Sequence, residues 1–344
     1  MTQGNLAGKF LDRAVGTTIV SALPVLLLLA AGCSPALQEE VPEVVEAPAG
    51  PEVEVAANLA FTEGPAVDAE GNVFFTETTQ SRIMKLATDG TLSVFRSPSH
   101  GANGLLFDEQ FRLLACESGD RRTINPRITR TNMETGEVEV VAEHYQGKRF
   151  HAPNDITIDG QGRLYFSDRP GANSAPDQVG VNAIYRVDPD GAVAQILAEP
   201  DIDRPNGLVI SPDDKTFYLI EAHPDEGRAR MIRAYDLLPD GSVTNMRVFH
   251  DFYPGRSGDG MTIDTEGNLY VAAGLHSLRN TSETLDTKPG VHVFAPDGTL
   301  KQFVPIPEDT ITNTAFGGPD MKTVYVTAGK TLFRFQSDIA GLRR

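Results

Sequence analysis

The sequence predicts an all-β fold, a six-bladed β-propeller with about four antiparallel strands per blade. Three observations predict it. A unit made of a turn and a short strand recurs six times, at intervals of about 40 to 55 residues. Most copies are followed by a second hairpin with an Asp-Gly or similar pair at its turn. The 32 Gly and 23 Pro of the chain also favour many turns over long helices.

The repeated unit is clearest in its short apolar strand. The copies are GNVFFTE (71–77), FRLLACE (111–117), GRLYFSD (162–168), KTFYLIE (215–221), GNLYVAA (267–273) and KTVYVTA (322–328). The sixth unit stops after TLFRF (331–335), about one strand short of a full blade. We therefore expect VEVAANLAF (53–61) to supply the missing strand, so that an N-terminal strand closes the ring.

The first 33 residues have the layout of an export signal. Lys9 and Arg13 precede an apolar run, and small residues stand before Cys33. The segment 1–33 resembles a bacterial lipoprotein signal peptide, in which Cys33 becomes the acylated first residue. An ordinary secretory signal is the alternative, and it also predicts export.

The residues after the signal predict a tether and then one large domain. Residues 34–52 are rich in Pro, Glu and Ala, which predicts a disordered acidic tether before the propeller domain at 53–344. Ser34 after the lipidation site favours the outer membrane, so we expect an exported lipoprotein of the bacterial periplasm or cell envelope. Cys116 is the only other cysteine. It is expected to be a buried, inert thiol.

The overall charge limits the partners of the protein. The 344-residue chain has a formal net charge of −17, which repels nucleic acid and is compatible with cation binding. We expect no nucleic-acid partner, and contact with a membrane only through the N-terminal lipid anchor. No feature of the sequence defines an oligomeric state.

Polar residues occur at one register in all six units. They lie eleven or twelve residues before the centre of each repeated strand, and they are Glu63, Asn103, Asn154, Asn206, Asp259 and the Asn313-Thr314 pair. Equal register predicts equal positions at the start of each innermost strand, so six oxygen-bearing side chains should converge on the axis. Two carboxylates among amide oxygens suit a hard cation such as Ca²⁺, with Zn²⁺, Mn²⁺ or Mg²⁺ as alternatives. The competing interpretation is that these Asn-Gly and Asp-Gly pairs only form turns.

Several motifs resemble one protein family. FTEGPAVDAEGNVFFTE, YQGKRFHAPNDITIDGQGRLYFSD, RPNGLVISPDDKTFYLIEA and SGDGMTIDTEGNLYVAA resemble the senescence-marker-protein/gluconolactonase/luciferin-regenerating-enzyme-like family, most closely its bacterial gluconolactonases. The likeness covers about residues 53–336. It implies a six-bladed propeller with a catalytic divalent metal, usually calcium, that acts on lactones or, in some relatives, on organophosphates. Carried over by motif, the metal ligands are Glu63, Asn154, Asn206 and Asp259.

The resemblance also implies positions near the substrate. Asn103 and Arg122 match the substrate pocket, and Arg149 is a second arginine that could bind hydroxyl or carboxylate groups. His151 departs from the family, in which a small polar residue is more common here. A histidine at the rim of the pocket could bind substrate, although packing is the more common role.

Two residues are candidates for direct catalysis. Asn154 contacts substrate or water instead of the metal in some relatives. Asp259 is the candidate general base, but a carboxylate beside a cation has a lowered pKa, so Asp155 is the alternative proton acceptor.

The predicted function is calcium-dependent hydrolysis of a lactone, such as gluconolactone, at the axis of the propeller. Two alternatives stay open. One is hydrolysis of phosphotriesters such as organophosphates by the same metal site, and the other is a non-catalytic propeller that only binds a partner. A binding module would not need the set Glu63, Asn206 and Asp259, which is complete in this sequence.

Overall fold

The structure is a computed structural model, which describes residues 51–119, 124–170 and 174–344. The predicted signal peptide with Cys33, the tether up to residue 50, and Arg122 lie outside the described residues. In the described part, six four-stranded antiparallel sheets are present. The first strands of neighbouring sheets contact one another in a closed circle, so the sheets are the blades of a six-bladed propeller, as predicted.

The strands are numbered β1 to β26 along the chain, and each blade has an innermost, a second, a third and an outermost strand. The innermost strands are β2 (Thr62–Val67), β6 (Ala102–Phe107), β12 (Pro153–Ile158), β16 (Pro205–Ile210), β20 (Gly258–Ile263) and β24 (Ile311–Gly317). The second strands are β3 (Val73–Glu77), β7 (Leu113–Glu117), β13 (Leu164–Asp168), β17 (Thr216–Ala222), β21 (Leu269–Ala273) and β25 (Thr323–Ala328). The third strands are β4 (Arg82–Leu86), β8 (Arg127–Thr131), β14 (Ala183–Val187), β18 (Arg230–Leu237), β22 (Gly290–Phe294) and β26 (Thr331–Gln336). The outermost strands are β5 (Leu92–Arg96), β9 (Val138–Ala142), β15 (Val193–Ala198), β19 (Val243–Asp251), β23 (Leu300–Pro305) and β1 (Glu54–Asn58).

Blades 1 to 6 are named in the order of these innermost strands. Two short elements lie outside the blades. The two-residue strands β10 (His144–Tyr145) and β11 (Lys148–Arg149) form a small hairpin, and Thr78–Gln80 form a single turn of 3₁₀ helix. In the part of the chain that the structure describes, no helix is long and apolar enough to cross a membrane.

The ring is closed by the N-terminal strand, which confirms the prediction. Strand β1 is the outermost strand of blade 6, where it pairs antiparallel with β26 from Glu54 opposite Arg334 to Asn58 opposite Thr331. The hydroxyl of Thr62, at the start of blade 1, also donates to the carbonyl oxygen of Thr331 at 3.1 Å. The last blade is therefore built from both ends of the propeller domain and is bonded directly to the first.

The apolar core is divided among the six interfaces between neighbouring blades. Each interface contains one cluster of buried side chains contributed by both blades, such as Ala66 and Phe74 of blade 1 with Ala102 and Leu105 of blade 2. Cys116 belongs to the cluster between blades 2 and 3, and it is fully buried as predicted. Burial raises the pKa of its thiol well above the usual value, so the thiol is protonated and unreactive at neutral pH.

Because the strands of each blade are antiparallel, different segments of the chain lie at the two faces of the ring. All innermost strands begin at one face, which we call the entry face, and the loops between second and third strands lie there too. At the opposite face the C-terminal residues cross the channel. The Leu342 N–H donates to the Ile263 carbonyl oxygen at 3.0 Å, and the guanidinium of Arg344 pairs with Asp214. This segment and the ends of the innermost strands line a cavity of about 140 Å³.

Ring closure predicts unequal effects of two substitutions in β1. Ala57 lies in the cluster between blades 6 and 1 and is 9% exposed, whereas Val55 is 63% exposed. Ala57→Asp places a carboxylate without a partner in that cluster and should lower the free energy of unfolding by about 2 to 4 kcal/mol. The matched control Val55→Asp should change it by less than about 0.5 kcal/mol. Urea denaturation checks both values, and equal effects would contradict a stabilising role for β1.

Candidate metal centre

Each innermost strand contains a β-bulge close to its start. The pairing with the second strand shifts by one residue between Glu63 and Ala66 in blade 1, and between Pro153 and Ile156 in blade 3, with matching shifts in the other blades. A bulge leaves one residue outside the ladder and re-aims its side chain. In blades 2 to 5 the first residue of the irregular segment is Asn103, Asn154, Asn206 and Asp259, and the equivalent residue of blade 1 is Glu63, the last one paired before the shift. We call this place in each blade the ring position.

In blade 6 the ring position is Thr312, so the prediction of Asn313 or Thr314 there is wrong. Ile311 pairs with Ala328 and Thr314 with Val326, which leaves Thr312 at the place of Asn154 in blade 3. The β24–β25 hairpin is one residue pair longer than the β2–β3 hairpin, and this shifts the count along the sequence. The Thr312 hydroxyl bonds the carbonyl oxygen of Thr62 at 3.0 Å, which fastens blade 6 to blade 1. Five blades, not six, supply a carboxylate or amide side chain at this level, because the Thr312 hydroxyl is bonded to blade 1.

The residue after the ring position is glycine in four blades, because neighbouring backbones come too close for a side chain. A Cβ at Gly64, which also has a positive φ of 38°, would lie 2.2 Å from the Asn103 carbonyl oxygen. A Cβ at Gly207 would lie 2.7 Å from the Asp259 carbonyl oxygen. The innermost strands therefore pack backbone against backbone around the axis.

Blades 3 and 6 carry Asp155 and Asn313 at this position, and these two side chains meet across the axis. The Asn313 Nδ2 donates to Asp155 Oδ2 at 3.2 Å. They fit because the neighbouring positions are glycines: a Cβ at Gly104 would lie 2.7 Å from Asp155 Oδ1, and one at Gly260 would lie 2.1 Å from the Asn313 Cγ. This pair lies directly after the ring positions and joins blades 3 and 6. Burial raises the pKa of Asp155 to about 7.

The carboxylate of Asp259 is held from two sides. Asn206 Nδ2 donates to its Oδ1 at 2.5 Å, and the guanidinium of Arg256 donates to its Oδ2 at 2.5 Å. Arg256 is itself buried and also donates to the Ile311 carbonyl oxygen at 3.1 Å. Asp259 is therefore fixed in orientation toward the axis, between blades 4 and 6.

Glu63 faces this charge from blade 1. Burial raises the pKa of its carboxyl group well above the usual value, and the negative charge of Asp259 raises it further. Its carboxyl group makes no hydrogen bond with any other described residue. Two acidic groups that repel each other in a poorly solvated channel form a site at which a cation would be bound strongly.

The structure thus brings the four predicted ligands to equivalent positions around one axis. Glu63, Asn154, Asn206 and Asp259 occupy the ring positions of blades 1, 3, 4 and 5, and Asn103 that of blade 2. Within the described ranges no three His, Cys, Asp or Glu side chains form a group that could hold a metal ion. An ion at the axis would therefore need the amide oxygens of Asn154 and Asn206 in addition to the two carboxylates.

Two other predicted substrate residues precede β12 on the entry face, Arg149 in β11 and His151 in the loop that follows it. The guanidinium of Arg149 forms an ion pair with Asp177 at 2.8 Å and also donates to Asn125 Oδ1 at 3.3 Å. The His151 Nδ1 lies 3.0 Å from the carbonyl oxygen of Arg169. Both residues are at the rim of the channel, with Arg149 already paired and His151 tied to the neighbouring loop.

Two buried carboxylates that the sequence prediction missed fix the loops before the ring positions. Asp168 accepts the backbone N–H of His151 at 2.9 Å and of Ala152 at 2.6 Å, just before Asn154. Burial raises the pKa of Asp168 to about 6, although these donors act in the opposite direction. In blade 4 a glutamate takes the place of Asp168. It accepts the backbone N–H groups of residues that precede Asn206.

That glutamate is Glu221, which accepts the N–H of Asp203 at 3.0 Å and of Arg204 at 2.6 Å. A signal for both carboxylates was available, because the last residue of the repeated strand is acidic in four of its six copies. Arg256, also missed, stands three residues before Asp259, at the register that His151 has before Asn154. These residues position the ring side chains rather than forming the ring.

Comparisons with known proteins show which family the chain belongs to. The chain is 27% identical over 314 residues to the gluconolactonase of Zymomonas mobilis, which covers 83% of this chain and 81% of that protein. It is 30% identical over 214 residues to regucalcin of Oryctolagus cuniculus, covering 60% and 64% of the two chains. The structure of a gluconolactonase from Xanthomonas campestris superposes with a TM-score of 0.69 at 27% identity, covering 83% and 89%. The sequence pattern of the SMP-30/Gluconolactonase/LRE-like region matches residues 61–330, so the chain belongs to this family, as its motifs predicted.

Proposed function

We propose that this protein hydrolyses a lactone, with a sugar lactone as substrate and one divalent cation, foremost Ca²⁺, at the ring positions. One observation carries the proposal: the buried carboxyl group of Glu63, which has no hydrogen-bond partner among the described residues, lies within the electrostatic reach of the fixed carboxylate of Asp259 at the start of the innermost strands. The lactonase relatives and the family membership support the reaction class. Hard oxygen donors without sulfur or imidazole support Ca²⁺ over Zn²⁺.

The residues present fit such a cation. Glu63 and Asp259 would supply two negative charges, and Asn154 and Asn206 would supply amide oxygens. When bound, the cation would polarise the lactone carbonyl as a Lewis acid. The Asn206 amide nitrogen donates to Asp259 Oδ1, so Asn206 would bind the cation through its other polar atom, the amide oxygen.

The protein's own groups would bind the ring ester and move a proton. In the reaction, the oxygen of water bonds to the carbonyl carbon, the bond from that carbon to the ring oxygen breaks, and the ring oxygen leaves as a hydroxyl group. Asp259 is our candidate for the acceptor of the water proton, with Asn154 as a hydrogen-bond partner of substrate or water. Asp155, whose pKa burial raises to about 7, is the second candidate acceptor.

The rival functions make different demands on the site. A propeller that only binds a partner needs neither the fixed Asp259 nor the unpartnered Glu63. Hydrolysis of a phosphotriester would use the same oxygen ring, so such a substrate belongs in the assay.

Export is proposed from the sequence alone. We propose that Cys33 is acylated and anchors the propeller to the bacterial outer membrane through the tether at 34–52.

Removal of the metal should abolish hydrolysis. The purified protein, treated with EDTA and then dialysed, should lose hydrolysis of D-glucono-1,5-lactone, because Glu63 and Asp259 then have no cation between them. Addition of Ca²⁺ should restore the rate, with Zn²⁺, Mn²⁺ and Mg²⁺ as comparison ions and one phosphotriester as a second substrate. Full activity in EDTA would contradict a metal-dependent mechanism.

Asp259→Asn should lower the rate constant of lactone hydrolysis by at least about 100-fold, because it removes one cation ligand and the proposed proton acceptor. Glu63→Gln should weaken the binding of Ca²⁺ measured by calorimetry. Asp89→Asn, in an exposed turn far from the axis, is the control of equal charge. An undiminished rate for Asp259→Asn would remove Asp259 from the mechanism.

Acylation predicts a change of cellular fraction. Cys33→Ala should move the protein from the membrane fraction to the soluble fraction and prevent incorporation of radiolabelled palmitate, because the only acceptor thiol of the signal is lost. Membrane retention of this variant together with continued labelling would exclude Cys33 as the anchor.

A further inference from the structure

Two arginines on the entry face have no side-chain partner among the residues that the structure describes. Arg169 follows β13 and Arg204 precedes β16, so both lie on the entry face. Neither guanidinium makes a hydrogen bond or an ion pair with another described residue. By contrast, three other arginines on this face each form an ion pair with an aspartate. They are Arg149, Arg228 and Arg256.

Both arginines lie close to the ring. The charge of Arg169 acts on the acidic groups of Asp259, Glu63 and Asp155, and also on Arg204. Burial lowers the pKa of Arg169, and the like charge of Arg204 lowers it further, while the acidic groups oppose this. Two guanidinium groups that repel each other over the same channel are stabilised by an anion between them.

The backbones that carry the two side chains are fixed. The Arg169 N–H donates to the Ala152 carbonyl oxygen at 3.4 Å, and its own carbonyl oxygen contacts His151 Nδ1 at 3.0 Å. The Arg204 N–H donates to Glu221 Oε2 at 2.6 Å, and its carbonyl oxygen accepts the Ala222 N–H at 2.9 Å. The guanidinium groups are therefore presented by loops that do not need to be ordered when a ligand binds.

The charges at the mouth favour an anionic ligand. Asp259 is already paired with Arg256. A divalent cation would neutralise the charges of Glu63 and Asp259, so that these groups would no longer offset Arg169 and Arg204, and a neutral lactone would not offset them either. A guanidinium group binds a carboxylate through two parallel hydrogen bonds.

We propose that the substrate is an anionic sugar lactone, which carries a carboxylate away from its ring carbonyl, and that Arg169 and Arg204 bind this carboxylate. The inference rests on the proposed lactone hydrolysis and names its substrate class. The simpler explanation is that the two arginines only offset the charges of Glu63 and Asp155, and it predicts no selectivity for substrate charge.

Two matched lactones separate these explanations. D-glucaro-1,4-lactone and D-glucono-1,4-lactone share ring and stereochemistry, and differ by a carboxylate in place of a hydroxymethyl group. The holoenzyme should have a kcat/KM at least about ten-fold higher for the charged lactone. Its KM for that lactone should rise with salt concentration, because salt screens the attraction. A second pair, D-glucono-1,5-lactone with and without a 6-phosphate, shows whether phosphate can replace carboxylate.

Substitution of either arginine should remove the selectivity. Arg169→Gln and Arg204→Gln should each lower the ratio of kcat/KM between charged and neutral lactone by about ten-fold, mainly through KM. Arg247→Gln removes an equal charge from the outermost strand of blade 4, where Arg247 pairs with Asp236, and should leave the ratio unchanged. Calorimetric titration with Ca²⁺ is the additional readout, and the two variants should bind the ion at least as tightly as the wild type.

The outcomes are distinct. Equal kcat/KM of the wild type for both lactones, or a proportional loss on both in Arg169→Gln and Arg204→Gln, overturns the anionic substrate but leaves lactone hydrolysis intact. Failure of the wild type to hydrolyse any lactone contradicts the proposed function itself. In that case calorimetric binding of D-glucarate, absent with D-glucitol and lost in Arg169→Gln, would still support an anion site, and no binding of D-glucarate would overturn it.

Discussion

The close approach of six innermost strands around one axis is the constraint on which the candidate site depends. Where the backbones nearly touch, only glycine fits, and four blades carry it directly after the ring position. The bulge just before that contact is then the last place at which a strand can direct a side chain to the axis. The ring of acidic and amide groups stands at this place, directly before the contact. The two exceptions, Asp155 and Asn313, use the space that two glycines of neighbouring blades leave free.

The polar groups above this contact are arranged in layers that depend on one another. Buried carboxylates at the ends of second strands, Asp168 and Glu221, bind the N–H groups of the loops that lead into β12 and β16. Those loops hold the ring asparagines and also fix the backbones of Arg169 and Arg204 at the mouth. The loops bound by these carboxylates therefore position both the ring side chains and the two arginines. The candidate site is assembled from all blades but supported locally within each one.

Repetition made most of the fold and the inner ring predictable from the sequence. Six similar strands define the blades, and an incomplete sixth copy predicts the closing strand β1. A constant offset from each strand locates Glu63, Asn154, Asn206 and Asp259, but the same offset fails in blade 6, where a longer hairpin places Thr312 at the ring position. Features that do not repeat could not be found in this way. Arg169 and Arg204 lie in loops of different length and sequence. Only their positions in space show that they are close to each other and have no side-chain partner in the described part of the chain.

The pairing of β1 with β26 joins residues near the two ends of the domain, and this has a consequence for how the molecule is made. During synthesis β1 emerges first, yet its partner strand is completed only about when the whole domain has left the ribosome. Until then β1 has no place in any sheet, and the first blade lacks a neighbour on one side. The ring of the nascent chain therefore cannot close until the final blade has been synthesised. The native state then forms late and in nearly one step. Pairing between such distant residues also gives a high contact order, which is typical of slow folding.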